Sequence, residues 1–323
     1  MALRATAKAH PMQGLVKYHG LKDWALRIPY HDSISVNIDA LWTKTTVELG
    51  DFENDTATIG GEAVKGNALE RCTTILDLVR RMAGLDLRAR VTSENSLPLG
   101  AVKGVGFSSS GGAALAAAAY KAARLDELNG WDLRLISRLA RRLAGSACRS
   151  VVGGYGLWHA GNSDESSYAQ RIAGRETLDM VMVIVPLGAD LSTEDAHREV
   201  ESSIFFDARI RSASRRVQQV REAIERGDLP TLGELVELDS LELHAVTMTG
   251  ASRTVIYRPE SITVLQEVKT MKREGTLAYF SMQTGPSVFI NTYPENAAEV
   301  SARIQSLGLK TIISTVGGEV ALL

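Results

Sequence analysis

Pro98-Leu99-Gly100-Ala101-Val102-Lys103-Gly104-Val105-Gly106-Phe107-Ser108-Ser109-Ser110-Gly111-Gly112 runs without a break into Ala113-Ala114-Leu115-Ala116-Ala117-Ala118-Ala119-Tyr120. The alanine run has very high helix propensity and side chains small enough for close packing, so it predicts a buried helix. The stretch ahead of it is built to hold phosphate. Glycines reach backbone angles closed to other residues, amides at a helix N-terminus point at bound anions, and serine hydroxyls add donors or a metal contact. The loop is neither Gly-x-x-x-x-Gly-Lys-Ser/Thr nor a Gly-x-Gly-x-x-Gly turn inside a parallel unit, which sets two common nucleotide folds aside.

A second stretch, Gly145-Ser146-Ala147-Cys148-Arg149-Ser150-Val151-Val152-Gly153-Gly154-Tyr155, places two hydroxyls and one guanidinium beside a glycine pair. A planar guanidinium holds a carboxylate or a phosphate with two parallel hydrogen bonds, so the pattern points to a small anionic ligand. Any such site is local, because 36 basic and 38 acidic residues leave a formal net charge of -2 and no excess to attract nucleic acid or an anionic membrane. A chain of 323 residues, 45% hydrophobic, supports a real core and one large or two domains. No apolar run of membrane-spanning length and no signal-type leader is evident, and the two cysteines, Cys72 and Cys148, make no disulfide framework. A soluble protein of the reduced cytoplasm is expected. The histidines lack metal-ligand spacing, and Cys148 reads as a small packed residue.

Apolar alternation predicts strands at 33–38, 45–49 and 85–91, and an amphipathic pattern predicts a helix over 67–83. Residues 93–98 read as a turn-rich entry into the phosphate loop. Further helices are expected at 131–143, 199–224, 232–243 and 296–306, and strands at 181–186, 277–282, 288–290, 311–314 and 319–322. The class is α+β, with an N-terminal domain over 1–178 and a C-terminal domain over 179–323.

The loop, with Pro98 ahead of it and Gly106-Phe107-Ser108-Ser109-Ser110-Gly111-Gly112 at its end, resembles the phosphate loop of the GHMP kinases, Pro-x-x-x-Gly-Leu-x-Ser-Ser-Ala, lengthened by about four residues. Lys17-Tyr18-His19-Gly20-Leu21-Lys22-Asp23 resembles the Lys-Tyr-Trp-Gly-Lys-Arg-Asp of the mevalonate diphosphate decarboxylase branch. Ser33-Ile34-Ser35-Val36, the 145–155 stretch, Leu238-Asp239-Ser240 with His244-Ala245, and Gly285-Pro286 extend the similarity over most of the chain.

The resemblance implies a two-domain GHMP kinase-like fold with its site in the cleft between domains, and an ATP-dependent lyase working with Mg2+ as a cytoplasmic homodimer. The reaction it implies phosphorylates the 3-hydroxyl of a phosphorylated mevalonate and then loses phosphate and carbon dioxide. Arg149 and Ser146 would orient the carboxylate, Lys17 would join them in catalysis, and Tyr18, Lys22, Arg71 and Ser202 would complete the substrate site. Ser93 and Asn95 would lie at the adenine. Lys103, Gly106, Ser108, Ser109, Ser110 and Gly111 would hold the phosphates, with Ser109 or Ser110 on the metal.

Two departures shape the functional expectation. Leu21 stands where the family pattern has a lysine that helps hold the diphosphate, which favours a monophosphate substrate: (R)-mevalonate 5-phosphate, converted to isopentenyl phosphate in isoprenoid biosynthesis. Gln283 stands in Met282-Gln283-Thr284-Gly285-Pro286-Ser287 where the pattern Phe-Asp-Ala-Gly-Pro-Asn has its catalytic carboxylate. An amide is a poor proton acceptor, and loss of general-base help costs roughly 10²–10⁴-fold. A diphosphate decarboxylase, a 3-kinase that stops after phosphate transfer and a non-catalytic binding relative therefore stand as alternatives. Asp23, Asp32 and Asp239 are further acids, each expected to cap a turn or pair with a neighbour.

Overall fold

The computed structural model describes residues 3–98, 104–188 and 197–323. Its first half opens with β1 (Leu3–Ala9), β2 (Met12–Val16), a short hairpin of β3 (Leu21–Asp23) and β4 (Ile28–Pro29), β5 (Ser33–Asn37), β6 (Thr43–Gly50), β7 (Thr56–Ile59) and β8 (Glu62–Ala63). β6 alternates buried and half-buried residues along its whole length, as its Thr-x-Thr-x-Val-x-Leu spacing dictates. Helix α1 (Gly66–Ala83) ends at Gly84, whose left-handed backbone lets its amide meet the carbonyls of Arg80 and Arg81.

β9 (Arg88–Asn95) begins later and runs further than its apolar spacing indicates. It pairs with β6 from Arg88 opposite Gly50 to Asn95 opposite Thr43. Polar cross-strand pairs carry its second half: Ser93 and Thr45 share a hydrogen bond of 2.7 Å, and Thr43 donates to Asn95 Oδ1 at 2.6 Å. Serine and asparagine mimic a turn in sequence but here serve a ladder.

Helix α2 (Phe107–Ala122) likewise starts before the alanine run, so Ser108 to Gly112 form its first turns instead of a loop. Gly106, at φ 89°, caps it, and its carbonyl accepts from the amides of Ser109 and Ser110. Then come α3 (Leu125–Asn129), α4 (Leu133–Arg141), α5 (Ala147–Val152), β10 (Tyr155–His159) and β11 (Tyr168–Ala173). The small residues let α2 and α5 pack closely, since a Cβ on Gly112 would lie 2.7 Å from that of Ala147. The first half thus holds a sheet in the order β11-β10-β5-β2 and a larger one containing β1, β6, β9, β7 and β8.

The second half holds β12 (Val181–Val185), α6 (Phe206–Glu225), α7 (Leu229–Met248), α8 (Pro259–Arg273), β13 (Ala278–Met282), β14 (Val288–Thr292), α9 (Pro294–Ser306) and β15 (Ile312–Ser314). Its four strands form an antiparallel sheet in the order β13-β14-β12-β15. α6 starts later than the pattern suggests, because Val200–Ser202 close a separate 3-10 turn. Sequence reading leaves α8 out, although Val264, Leu265, Val268 and Met271 are buried at helical spacing.

The tail then returns to the first half. β16 (Ala321–Leu322) pairs with β1, the amide of Val320 donates to the carbonyl of Val151, and Gly154 donates to Gly317. Gly153 makes this crossing possible, since a Cβ there would fall 2.2 Å from the backbone nitrogen of Glu319.

Candidate active site

Between the halves lies a cleft of about 620 Å³. Its floor comes from β2 and the turn after it, one wall from the start of α2 and the 143–149 segment, and another from 283–284 after β13. Glycines permit this convergence: a Cβ on Gly104 would lie 3.1 Å from the Cα of Gly285, and one on Gly106 would lie 3.0 Å from the carbonyl of Met12. Both glycines have positive φ as well.

Arg149 projects from α5 into the cleft with 1% of its surface exposed. Its guanidinium lies 5.6 Å from the ring of Tyr18 and 5.7 Å from that of Trp158. Neither Nε nor Nη1 meets a hydrogen-bond partner among the described residues. Burial pulls its pKa below the ordinary arginine value, opposed by Cys148 and Tyr18, and among the described residues no carboxylate compensates it. A cation desolvated in this way and left without an anion is a receptor for one. Ser146 and Gly145 line the cleft beside it. A side chain at Gly145 would meet the Tyr18 hydroxyl at 3.0 Å, so glycine is what lets the phenol approach.

Lys17 reaches the cleft from just beyond β2, folding over Gly14, where a Cβ would collide with its Cγ at 2.9 Å. Both its amide and its Nζ donate to Asp239 Oδ2, at 3.0 and 3.4 Å. Asp239, on α7 and fully buried, also accepts from Arg209 at 2.7 Å and Arg216 at 3.1 Å through Oδ1. These cations outweigh burial and hold the Asp239 carboxyl well below the usual range, while burial, against the Asp239 charge, brings Lys17 down to about 8. Asp239 is thus a structural anion behind the cleft. Asp23 caps its own turn at the amide of Leu26, and Asp32 accepts from the amide of Ala160.

Gln283 is committed to backbone. Its Oε1 accepts from the amide of Gly14, and its Nε2 donates to the carbonyls of Met12 and Gly104, each at 3.2 Å. The side chain thereby ties the second half to β2 and to the base of the phosphate loop. His244 donates from Nε2 to the Gln283 carbonyl at 2.9 Å, and burial depresses its pKa to about 4, so it is neutral.

At the phosphate loop, Ser108, Gly106 and Gly111 face the cleft, with Ser93 and Asn95 alongside on β9. Ser109 and Ser110 turn away from it. Both are fully buried; Ser109 donates to the Gly106 carbonyl at 2.6 Å, and Ser110 bonds Thr43 at 2.7 Å. Their hydroxyls do not fit a metal contact, whereas the exposed hydroxyl of Ser108 does. Among the described residues no group of three or more His, Cys, Asp or Glu is placed to hold a cation, and Ser108 is the described side chain that would contact a magnesium ion bound with the nucleotide.

The remaining expected residues divide. Arg71, on α1, and Tyr18 line the cleft. Lys22 does not: its Nζ donates to the carbonyl of Gly161 and to Asn162 Oδ1, both at 2.7 Å, on the exposed face. Ser202 is also exposed, donating to the Glu199 carbonyl and accepting from the amide of Ala251 at 2.8 Å. Lys103 lies outside the described residues. Sequence reading overlooked Trp24, Arg27 and His197, all on the cleft. His197 stacks on Tyr18 at 4.7 Å and accepts from the amide of Gly20 at 3.3 Å. No motif announces these three, because Trp24 and Arg27 are carried to the cleft by the turn between β3 and β4 and His197 by its stacking on Tyr18.

With this geometry the comparisons agree. Residues 9–169 match the model of the diphosphomevalonate decarboxylase-like N-terminal domain, and residues 189–315 that of the mevalonate 5-diphosphate decarboxylase C-terminal domain. The chain is 41% identical to the phosphomevalonate decarboxylase of Haloferax volcanii, over 98% of this chain and 96% of the relative. It is 31% identical to the diphosphomevalonate decarboxylase of Schizosaccharomyces pombe, over 91% and 80%. In structure it resembles MDDEF in complex with MVAPP, AMPPCP and magnesium, with TM-score 0.92, 30% identity, and coverage of 100% of this chain and 99% of that one. The mevalonate diphosphate decarboxylase of Staphylococcus aureus gives the same score and identity, with 100% and 98% covered.

Proposed function

Because this chain belongs to the diphosphomevalonate decarboxylase-like family, we propose that it is the ATP-dependent decarboxylase of (R)-mevalonate 5-phosphate, forming isopentenyl phosphate by way of 3-phosphorylation. The observation that carries the reading is Arg149: a buried guanidinium without an anion among the described residues, beside Ser146, in a cleft that also receives a phosphate loop. In this reading Arg149 and Ser146 hold the substrate carboxylate with C3 turned toward the loop. Fixed donors of this kind lower the barrier by positioning and by stabilising developing charge.

The amides at the start of α2 and the Ser108 hydroxyl hold the nucleotide phosphates, with Ser93 and Asn95 toward the base. Magnesium, when bound, neutralises charge on the phosphate oxygens. Lys17 adds a positive charge near the transferring group. Gln283 positions the loop and exchanges no proton. In a loose transition state the 3-hydroxyl keeps its proton until the new P–O bond has formed and then yields it to an oxygen of the transferred phosphate, so an amide at this position is compatible with turnover. Once the 3-phosphate leaves, Arg149 keeps the carboxylate aligned with the electron-poor C3 while carbon dioxide departs.

Leu21, apolar and 2% exposed at the cleft, supports a monophosphate substrate in preference to a diphosphate. Among the described residues no helix is long and apolar enough to cross a membrane. A cytoplasmic homodimer is part of the proposal, and a monomeric mass in sedimentation would remove that part. The deciding assay incubates the protein with ATP, Mg2+ and either mevalonate 5-phosphate or the 5-diphosphate, following ADP and carbon dioxide separately. Equal amounts of both products from the monophosphate are expected. ADP without carbon dioxide would reduce the chain to a kinase.

A further inference from the structure

Four cationic side chains line the cleft among the described residues: Lys17, Arg27, Arg71 and Arg149. Lys17 is paired with Asp239, Arg149 stands ready for the carboxylate, and Arg71 enters from α1. Arg27 has no part in the reaction as derived so far. It sits in the turn of the β3–β4 hairpin, whose Leu21 and Trp24 reach the same cleft. Its backbone is left-handed at φ 54°, a region that non-glycine residues seldom occupy and that clusters at functional sites. Its Nε donates to the carbonyl of Arg142 at 3.2 Å, which fixes the plane of the guanidinium.

His197 and Tyr18, which line the same cleft, feel its charge. After burial, Arg27 is what depresses His197 to about 4, and together with Arg149 it opposes the upward shift that burial imposes on Tyr18. Tyr18 therefore stands within the field of two guanidinium groups, one from α5 and one from the hairpin. A short molecule with a carboxylate at one end and a phosphate at the other matches that pair of charges. The position where the family pattern supplies a lysine for the phosphate end is Leu21, on the same hairpin as Arg27.

We infer that Arg27 holds the 5-phosphate of the substrate, supplying from the hairpin turn the cation that Leu21 cannot, and that it selects phosphorylated over unphosphorylated mevalonate. The inference rests on the proposed function for the identity of the substrate. A planar guanidinium suits a phosphate monoester because two N–H groups can meet two oxygens in parallel, and its charge persists at every working pH.

The test compares mevalonate 5-phosphate with mevalonate in wild type, Arg27→Asn and Arg27→Lys. Asparagine tolerates the left-handed backbone, so the substitution removes charge without adding strain. Two charge-assisted hydrogen bonds are lost, and the ratio of kcat/KM for the phosphorylated over the unphosphorylated substrate should fall about 100-fold, mostly in KM, with Arg27→Lys between the two. A ratio within about threefold of wild type would overturn the inference. Because it is a ratio, it also decides the matter if the variant is less stable. If wild type releases no carbon dioxide from any phosphorylated mevalonate, the proposed function fails by itself. Calorimetric titration of mevalonate 5-phosphate into wild type and Arg27→Asn then still tests Arg27, with weaker binding upholding its role and equal affinity refuting it.

Discussion

Replacing Gln283 with glutamate keeps the length of the side chain and removes its two N–H donors. In the structure one amide oxygen accepts from Gly14 while the nitrogen serves the carbonyls of Met12 and Gly104. A glutamate could keep the Gly14 bond, but its second oxygen would face two carbonyl oxygens with no proton between them. Leaving two partly buried acceptors unpaired costs about 1–3 kcal/mol each. At about 2–4 °C per kcal/mol for a protein somewhat smaller than this one, Tm should fall by about 5–15 °C at pH 8. The deficit should shrink toward pH 5. Contact with the carbonyls raises the folded pKa of the introduced acid, so the penalty is complete above that value and fades as protonation restores one donor. Gln283→Asp, one methylene shorter, should lose all three bonds without gaining rate. The assay is calorimetric melting across pH, paired with separate measurement of ADP and carbon dioxide. If Gln283→Asp melts like wild type and releases carbon dioxide about 10²-fold faster or more, as an installed general base would, the positional role argued for Gln283 is wrong.

Four other outcomes are expected. Arg149→Gln should lower the rate of carbon dioxide release by about 10²–10³-fold, measured with saturating ATP, because a fixed donor at the reacting carboxylate is removed. Lys17 titrates at about 8, so kcat/KM should decline as pH rises through that value, and the decline should vanish in Lys17→Arg. His31, His197 and His244 are buried and neutral, with pKa values near 4 against 6.5 when unfolded. The unfolded chain binds more protons between those values, so Tm should fall as pH is lowered from 6.5 to 4, and His31→Gln should flatten the slope. Leu21→Lys should improve kcat/KM for the 5-diphosphate relative to the monophosphate, which competition between the two substrates would reveal.

How legible the site was depended on whether backbone or packing placed each residue. The phosphate loop and Arg149 could be read because the chemistry and the supporting glycines are contiguous in sequence. The serines show the limit. Once α2 starts at Phe107, helical spacing puts Ser108 and Gly111 on the cleft and Ser109 and Ser110 against Thr43, but the alanine run alone did not reveal where the helix began. Lys22 is expected at the substrate, yet strand alternation turns it outward beside Asn162 and leaves Leu21 inward. Arg27 and His197 were invisible for a different reason. One depends on a left-handed turn and the other on stacking across 179 positions of chain, and neither leaves a periodic mark. The ion network around Asp239 was expected only as a pairing, since its partners Arg209 and Arg216 belong to another helix.

The return of the tail to β1 makes the bracing of the first half depend on residues that are synthesised long after it. Val151, two residues beyond Arg149, receives its hydrogen bond from Val320, and β1 gains its outer neighbour only from Ala321 and Leu322. A ribosome that has delivered the first 178 residues has delivered both the phosphate loop and the carboxylate clamp, but not the strand that braces them. At that point β1 lacks its outer neighbour and the segment behind Arg149 lacks the hydrogen bond to Val151, both of which residues 320–322 supply.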